Sequence, residues 1–187
     1  MDVKDAIAAR RAYRSFAPTE ITPALIDDLA TNAQLAPSCF NNQPWRFVFI
    51  YQEEMRARMR EAFSRGNEWC YDAPLIIAVV SRKDSDCVIK DREYYQFDTG
   101  MATAFLILRA TELGLVAHPI AGFSPAKVRE VLGVPEDTAV ITLVQVGTHA
   151  ATPSPVLSEK QLHDETGGRP ERKPLSDFAF HNHYPAG

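Results

Sequence analysis

The sequence predicts one domain of mixed helices and strands that is not a doubly wound α/β sheet, and three observations support this. Residues 98–113 are apolar on nearly every side, with Met101, Ala102, Phe105, Leu106, Ile107 and Leu108, and read as a helix for the centre of a domain or a subunit interface. Residues 75–80, Leu-Ile-Ile-Ala-Val-Val, form an unbroken apolar run, the pattern of a central strand covered on both faces. Helical and strand patterns do not alternate along the chain, and the glycine pair Gly167-Gly168 precedes no helix, which argues against a Rossmann site or a P-loop.

The remaining elements follow in order. Val3, Ala6, Ile7 and Ala9 mark a short helix that Pro18 ends. Thr22-Pro23 reads as an N-cap with proline at the first helical position, opening a helix over 24–35 with Leu25, Ile26, Leu29 and Ala33 on one stripe. Residues 45–51 are aromatic and β-branched, a strand. A polar helix is expected over 53–64, with Met55, Met59 and Phe63 four apart. Residues 81–95 are charged and read as a mobile surface segment. Ser124-Pro125 starts a helix that Gly133 closes, and 140–147 is a strand. Beyond His149 prolines concentrate and core-forming residues thin out, so 150–187 reads as an extended arm of a single domain spanning 1–187.

A chain of 187 residues fits one core and should bury roughly 70% of its unfolded surface, so it needs no disulfide or structural metal. A formal net charge of −4 argues against broad nucleic-acid or anionic-membrane binding, while leaving room for a local basic pocket. Cys39, Cys70 and Cys87 are odd in number, form no C-x-x-C, and suggest a reducing compartment; the cytoplasm is expected. A reactive thiol is the alternative for Cys39, but with no histidine near it in sequence it reads as a buried structural cysteine. No apolar run reaches the ~18 residues of a membrane span. His163, His181 and His183 show no ligand spacing, so no metal is assigned.

Two segments carry the chemistry. In Arg10-Arg11-Ala12-Tyr13-Arg14, helical geometry would place Arg10 and Arg14 on one face, where two like charges suit an anion such as phosphate; a solvated basic helix end is the alternative. In the 37–43 turn, Ser38, Asn41, Asn42 and Gln43 offer donors and acceptors that match a planar hydrogen-bonding ligand, with Pro37 and Pro44 stiffening the backbone. The alternative is a loop whose polar groups bond its own backbone. Gly122, in His118-Pro119-Ile120-Ala121-Gly122, would let backbone approach a ligand, or simply make a turn. His118 reads as a packed or solvated histidine, not a catalytic acid. Arg169, Arg172 and Lys173 form a second basic cluster.

Taken together these segments resemble the nitroreductase family of FMN-dependent oxidoreductases. Ala36 through Trp45 matches its Ala-Pro-Ser-x-x-Asn-x-Gln-Pro-Trp block at every specified position, and Pro119 to Phe123 is similar to its flavin loop. The resemblance implies an α+β fold, helices around a mixed, mainly antiparallel sheet, in an intertwined homodimer with FMN at the interface. Arg10, Arg11, Ala12 and Arg14 would come from one subunit, with Arg10 and Arg14 on the phosphate. Pro37, Ser38, Cys39, Asn41 and Gln43 would come from the other. Pro119, Ile120, Ala121 and Gly122 would supply backbone to the ring edge, and Arg169 and Arg172 would add to the phosphate site. The chain departs from the family pattern at Ala12, where serine is frequent, at Ala121, where glutamate is, and at Pro170, where a lysine is. The implied activity is NAD(P)H-dependent reduction of nitroaromatics, quinones or other small electron-poor acceptors by a ping-pong scheme, with no dedicated catalytic side chain. A flavin-buffering protein without turnover, or a specialised dehalogenase, enone reductase or flavin-fragmenting enzyme, would share the same site.

Overall fold

Leu75–Ser81 forms the strand around which the rest is arranged, and all seven of its residues are buried. It is β3 of a computed structural model that describes residues 1–185. Side chains alternate across a strand, so β3 feeds two cores. Ile76, Ala78 and Val80 pack with Ile50, Met59, Trp69, Val128 and Leu143, whereas Leu75, Ile77 and Val79 pack with Leu29, Leu106, Ala110, Val144 and Val146.

One edge of β3 pairs with β2 (Trp45–Ile50), the other with β7 (Ala139–His149). The far edge of β7 takes β6 (Val116–Ile120) and then β1 (Phe16–Ala17) in succession. Every pairing is antiparallel, and the architecture is the expected α+β. Gly147 allows the crowding where β7 passes the rim: a Cβ there would lie 2.6 Å from the Pro74 ring and 3.0 Å from Phe16.

The long helix α4 (Tyr95–Glu112) lays Ala102, Leu106 and Ala110 on the second core and stops at Gly114, whose φ of +78° is left-handed. Against it pack α1 (Val3–Ala9) and α2 (Pro23–Ala33), the latter capped by Thr22 as its sequence predicts. On the other face lies α5 (Pro125–Leu132), capped by Ser124 and closed by Gly133.

Three expectations change. Helix α3 (Glu53–Met59) does not continue to residue 64; a single 3₁₀ turn follows and Phe63 is extended. The physical reason is tertiary: Ser124 donates to the Ala62 carbonyl and Ser64 to that of Gly122, strand-like bonds that replace the last helical turn. The charged 81–95 segment contains a small hairpin, β4 (Val88–Ile89) with β5 (Arg92–Glu93). The tail contains a helix, α6 (Glu159–Thr166), opened by a reciprocal capping box between Ser158 and Gln161. A Ser-x-x-Gln capping signature encodes that helix start despite the prolines around it.

Candidate cofactor site

Helix α1 ends at Ala9 with Arg10 as its C-cap, and residues 11–15 have no helical structure, so helical spacing is not what gathers the arginines. Glu165 on α6 does that. Its Oε2 accepts the Arg14 backbone N–H at 2.8 Å, and its Oε1 accepts that of Ser15 at 3.0 Å and lies 3.1 Å from His149 Nε2. Tyr13 stacks on His149 with ring centroids 3.8 Å apart, and the Tyr13 carbonyl lies 2.9 Å from His118 Nδ1. Arg11 reaches back to the carbonyls of Asp164 at 3.1 Å and Gly167 at 3.3 Å.

The segment so held places Arg10, Arg11, Ala12 and Arg14 around a cavity of roughly 180 Å³, together with Arg172, Asp164 and Pro170. Four guanidinium groups thus face one carboxylate, Asp164, whose Oδ2 is 3.6 Å from Arg14. Burial, followed by the charges of Arg169, Arg172 and Arg11, pushes the Arg10 pKa down. Such a cavity fits an anion with several oxygens. Arg169 does not line it; its guanidinium donates to the Ala8 and Arg10 carbonyls, which caps the C-terminus of α1.

The 37–43 loop is strained. Phe40, Asn41 and Gln43 have φ of 49°, 58° and 49°, a left-handed conformation uncommon for such residues and concentrated at functional sites. Much of its polar capacity is turned inward: Ser38 Oγ accepts the Gln43 N–H at 2.9 Å, and Gln43 Nε2 donates to the Asn41 carbonyl at 3.1 Å. Asp98, at the start of α4, accepts the Cys39 N–H at 2.6 Å, and Asn42 donates to Asp86. Phe40, Asn41, Asn42 and Gln43 stay exposed. The expectation for Cys39 is overturned: it is half-exposed and joined to Cys87 in a disulfide. Tertiary folding brings together two cysteines 48 residues apart, which spacing alone does not reveal. Asp86 lies beside both sulfurs, within 4.8 Å, but the sulfurs are bonded to each other and are not a ligand set.

Pro119 and Ile120 end β6, and Ala121 and Gly122 follow it. Gly122 is needed for a reason other than ligand approach: a Cβ would sit 2.2 Å from Asn67 Nδ2, which donates to the Gly122 carbonyl at 2.8 Å. His118 is buried against Trp69, ring centroids 4.8 Å apart, and burial lowers its pKa to about 4. It is neutral at neutral pH and positions the Tyr13 carbonyl, as its reading as a packed residue expects. His118 thereby ties β6 to the arginine segment. Among the described residues no hydrogen bond or ion pair joins the 37–43 loop to either, so within one chain these candidate segments form two groups not bonded to each other. Glu165 and His149 were missed in the sequence; neither lies in a motif, and only the return of α6 to the N-terminal segment makes them neighbours.

A model of the nitroreductase family matches residues 7–68 and 64–148. The chain belongs to the nitroreductase family. Among relatives of this nitroreductase-family chain, an iodotyrosine deiodinase of Haliscomenobacter hydrossis is 30% identical over 168 residues, covering 74% of this chain and 75% of that protein. An NADH dehydrogenase of Thermus thermophilus is 24% identical over 178 residues, covering 79% and 86%. A crystal structure described as an oxidoreductase containing FMN superposes with a TM-score of 0.83 at 25% identity, covering 100% of this chain and 95% of the other.

Proposed function

We propose that this chain is an FMN-dependent oxidoreductase that takes electrons from NAD(P)H and passes them to a small electron-poor acceptor, such as a nitroaromatic or a quinone, as a homodimer. The observation that carries this reading is the arginine cavity: four guanidinium groups facing one carboxylate call for a dianionic phosphate. The FMN of the structural neighbour and the oxidoreductase names of the relatives supply its identity.

FMN, when bound, supplies the hydride and electron transfer. The chain's own residues bind and orient it. Arg10, Arg11, Arg14 and Arg172 would hold the phosphate by charge-assisted bonds, with Glu165 keeping the arginine segment in place. Ser38, Asn41 and Gln43 of the partner would reach the ring system, and the 119–122 loop would present backbone to its edge. The two-part arrangement in one chain agrees with a site completed by a second copy. So does the apolar surface left on α4 and its neighbours, where Phe97, Phe105, Ile7 and Leu35 are all exposed. The arm beyond α6 would wrap that second copy in the cytoplasm of the cell. Burial keeps His118 neutral at neutral pH, consistent with a packing role.

The deiodinase relative favours a second reading, reductive dehalogenation at the same site. The visible spectrum of the purified protein and of its heat-released supernatant tests the cofactor first. Steady-state NAD(P)H oxidation with a quinone, a nitroarene and a haloarene in turn then separates the two activities. In that protein Arg14→Ala should weaken FMN binding at least 10-fold, from about 1.5–3 kcal/mol per lost charged contact. A colourless protein that takes up no added FMN would overturn the proposal.

A further inference from the structure

We propose that Cys39 and Cys87 are a thiol–disulfide exchange site whose oxidised form ties the β4–β5 hairpin to the 37–43 loop. The exchange itself does not depend on the identity of the cofactor.

Three features separate this bond from a structural staple. It lies outside all the buried cores and joins two surface segments: Cys39 directly precedes the exposed Phe40, and Cys87 directly precedes β4. The domain has ample buried apolar surface without it. Both cysteines are half-exposed in the single chain, and Cys87, outside the loop proposed to meet the partner's flavin, is the sulfur open to a reagent; reachable disulfides are the labile ones. Cys70 is the internal contrast: fully buried, its thiol pushed far up by burial, and not reachable by a reagent.

Besides the disulfide, the hairpin base is tied to the 37–43 loop by one hydrogen bond, from Asn42 to Asp86, and closed by Tyr94 N–H on the Cys87 carbonyl; the hairpin itself is weakly held. Each strand is two residues long, too short for stability alone. Its ion pair, Lys83 with Glu93, is exposed and contributes little. The Cys87 N–H donates to Asp86 Oδ1 at 2.8 Å, and the Cys39 N–H donates to Asp98 Oδ2 at 2.6 Å. Arg82, Lys83, Asp84 and Asp137 line the cleft on the outer side of Asp86.

The step balances with a small dithiol as reductant. One thiolate of the reagent attacks a protein sulfur, the Cys39–Cys87 bond breaks, and a mixed disulfide forms while the released cysteine takes up a proton. The second thiol of the reagent then displaces the other cysteine. Two electrons and two protons end on Cys39 and Cys87, and the reagent leaves as a cyclic disulfide.

The test is a titration of the full chain in reduced and oxidised dithiothreitol, quenched with a maleimide and read by intact mass. Two labels should appear together as the buffer becomes reducing, with Cys70 labelled only after unfolding. Limited proteolysis within 82–94 should accelerate at least about tenfold in the reduced state, since cleavage tracks the open population. Cys87→Ser should be cut fast in both buffers; the wild-type comparison stands without it if that variant folds poorly. Two labels in every buffer, equal cleavage rates in both states, or a reduced protein that retains zinc at one equivalent with both cysteines shielded would each overturn the proposal.

Discussion

The burial of neutral His118 makes a quantitative prediction about acid stability. Its pKa falls from 6.5 to about 4 because desolvation outweighs the hydrogen bond to the Tyr13 carbonyl, with the Arg14 charge adding to the depression. A histidine with a depressed folded pKa is protonated more readily in the unfolded chain. Its neutral form therefore favours folding above pH 6.5, and stability is lost as pH falls from there towards 4. The full span is worth about 3 kcal/mol, of which about 2 kcal/mol separates pH 7 from pH 5. The assay is urea unfolding at both pH values, at one protein concentration, for wild type and His118→Phe. Other titrating groups contribute equally to both proteins, so the difference between their pH 7-to-5 losses isolates His118. Phenylalanine keeps a ring against Trp69 but cannot titrate, so the variant should lose about 2 kcal/mol less than wild type. Equal losses would refute the reasoning, and with it the neutral, buried state of this residue.

Other expectations rest on separate contacts. Glu165→Ala strands the Arg14 and Ser15 N–H groups in a buried site and should cost about 3 kcal/mol, measured as a lowered urea midpoint, together with weaker FMN binding; Glu165→Gln should recover part of both. Gly147→Ala drives a methyl into the Pro74 ring and should cost about 1–3 kcal/mol with no change in cofactor affinity, measured by thermal unfolding and FMN titration. Arg169→Ala should lower thermal stability through the lost cap on α1 by about 1 kcal/mol, while leaving FMN affinity closer to wild type than Arg14→Ala does.

Elements with strong local signals were legible from the amino-acid sequence. Thr22-Pro23, Ser124-Pro125, Gly114 and Gly133 punctuate helices because caps and left-handed turns depend only on the residues beside them. The apolar run at 75–80 announces a strand buried on both sides because no other environment tolerates it. The block from Ala36 to Trp45 and the arginines at 10, 11 and 14 stood out as candidates because residue type and order are read directly from the chain.

Tertiary structure decided whatever depends on distant partners. The last turn of α3 yields to bonds from 122–124, and the arginines meet through Glu165, 151 residues from Arg14 in sequence, not through a helical face. Arg169 spends its charge on the end of α1, and Gly122 is glycine because Asn67 is there. Cys39 finds Cys87 because the 37–43 loop and the hairpin converge at the start of α4. Residue types and spacing encode what a segment can do; which partner it meets is set by packing across the whole chain, where the energies of many weak contacts are summed at once.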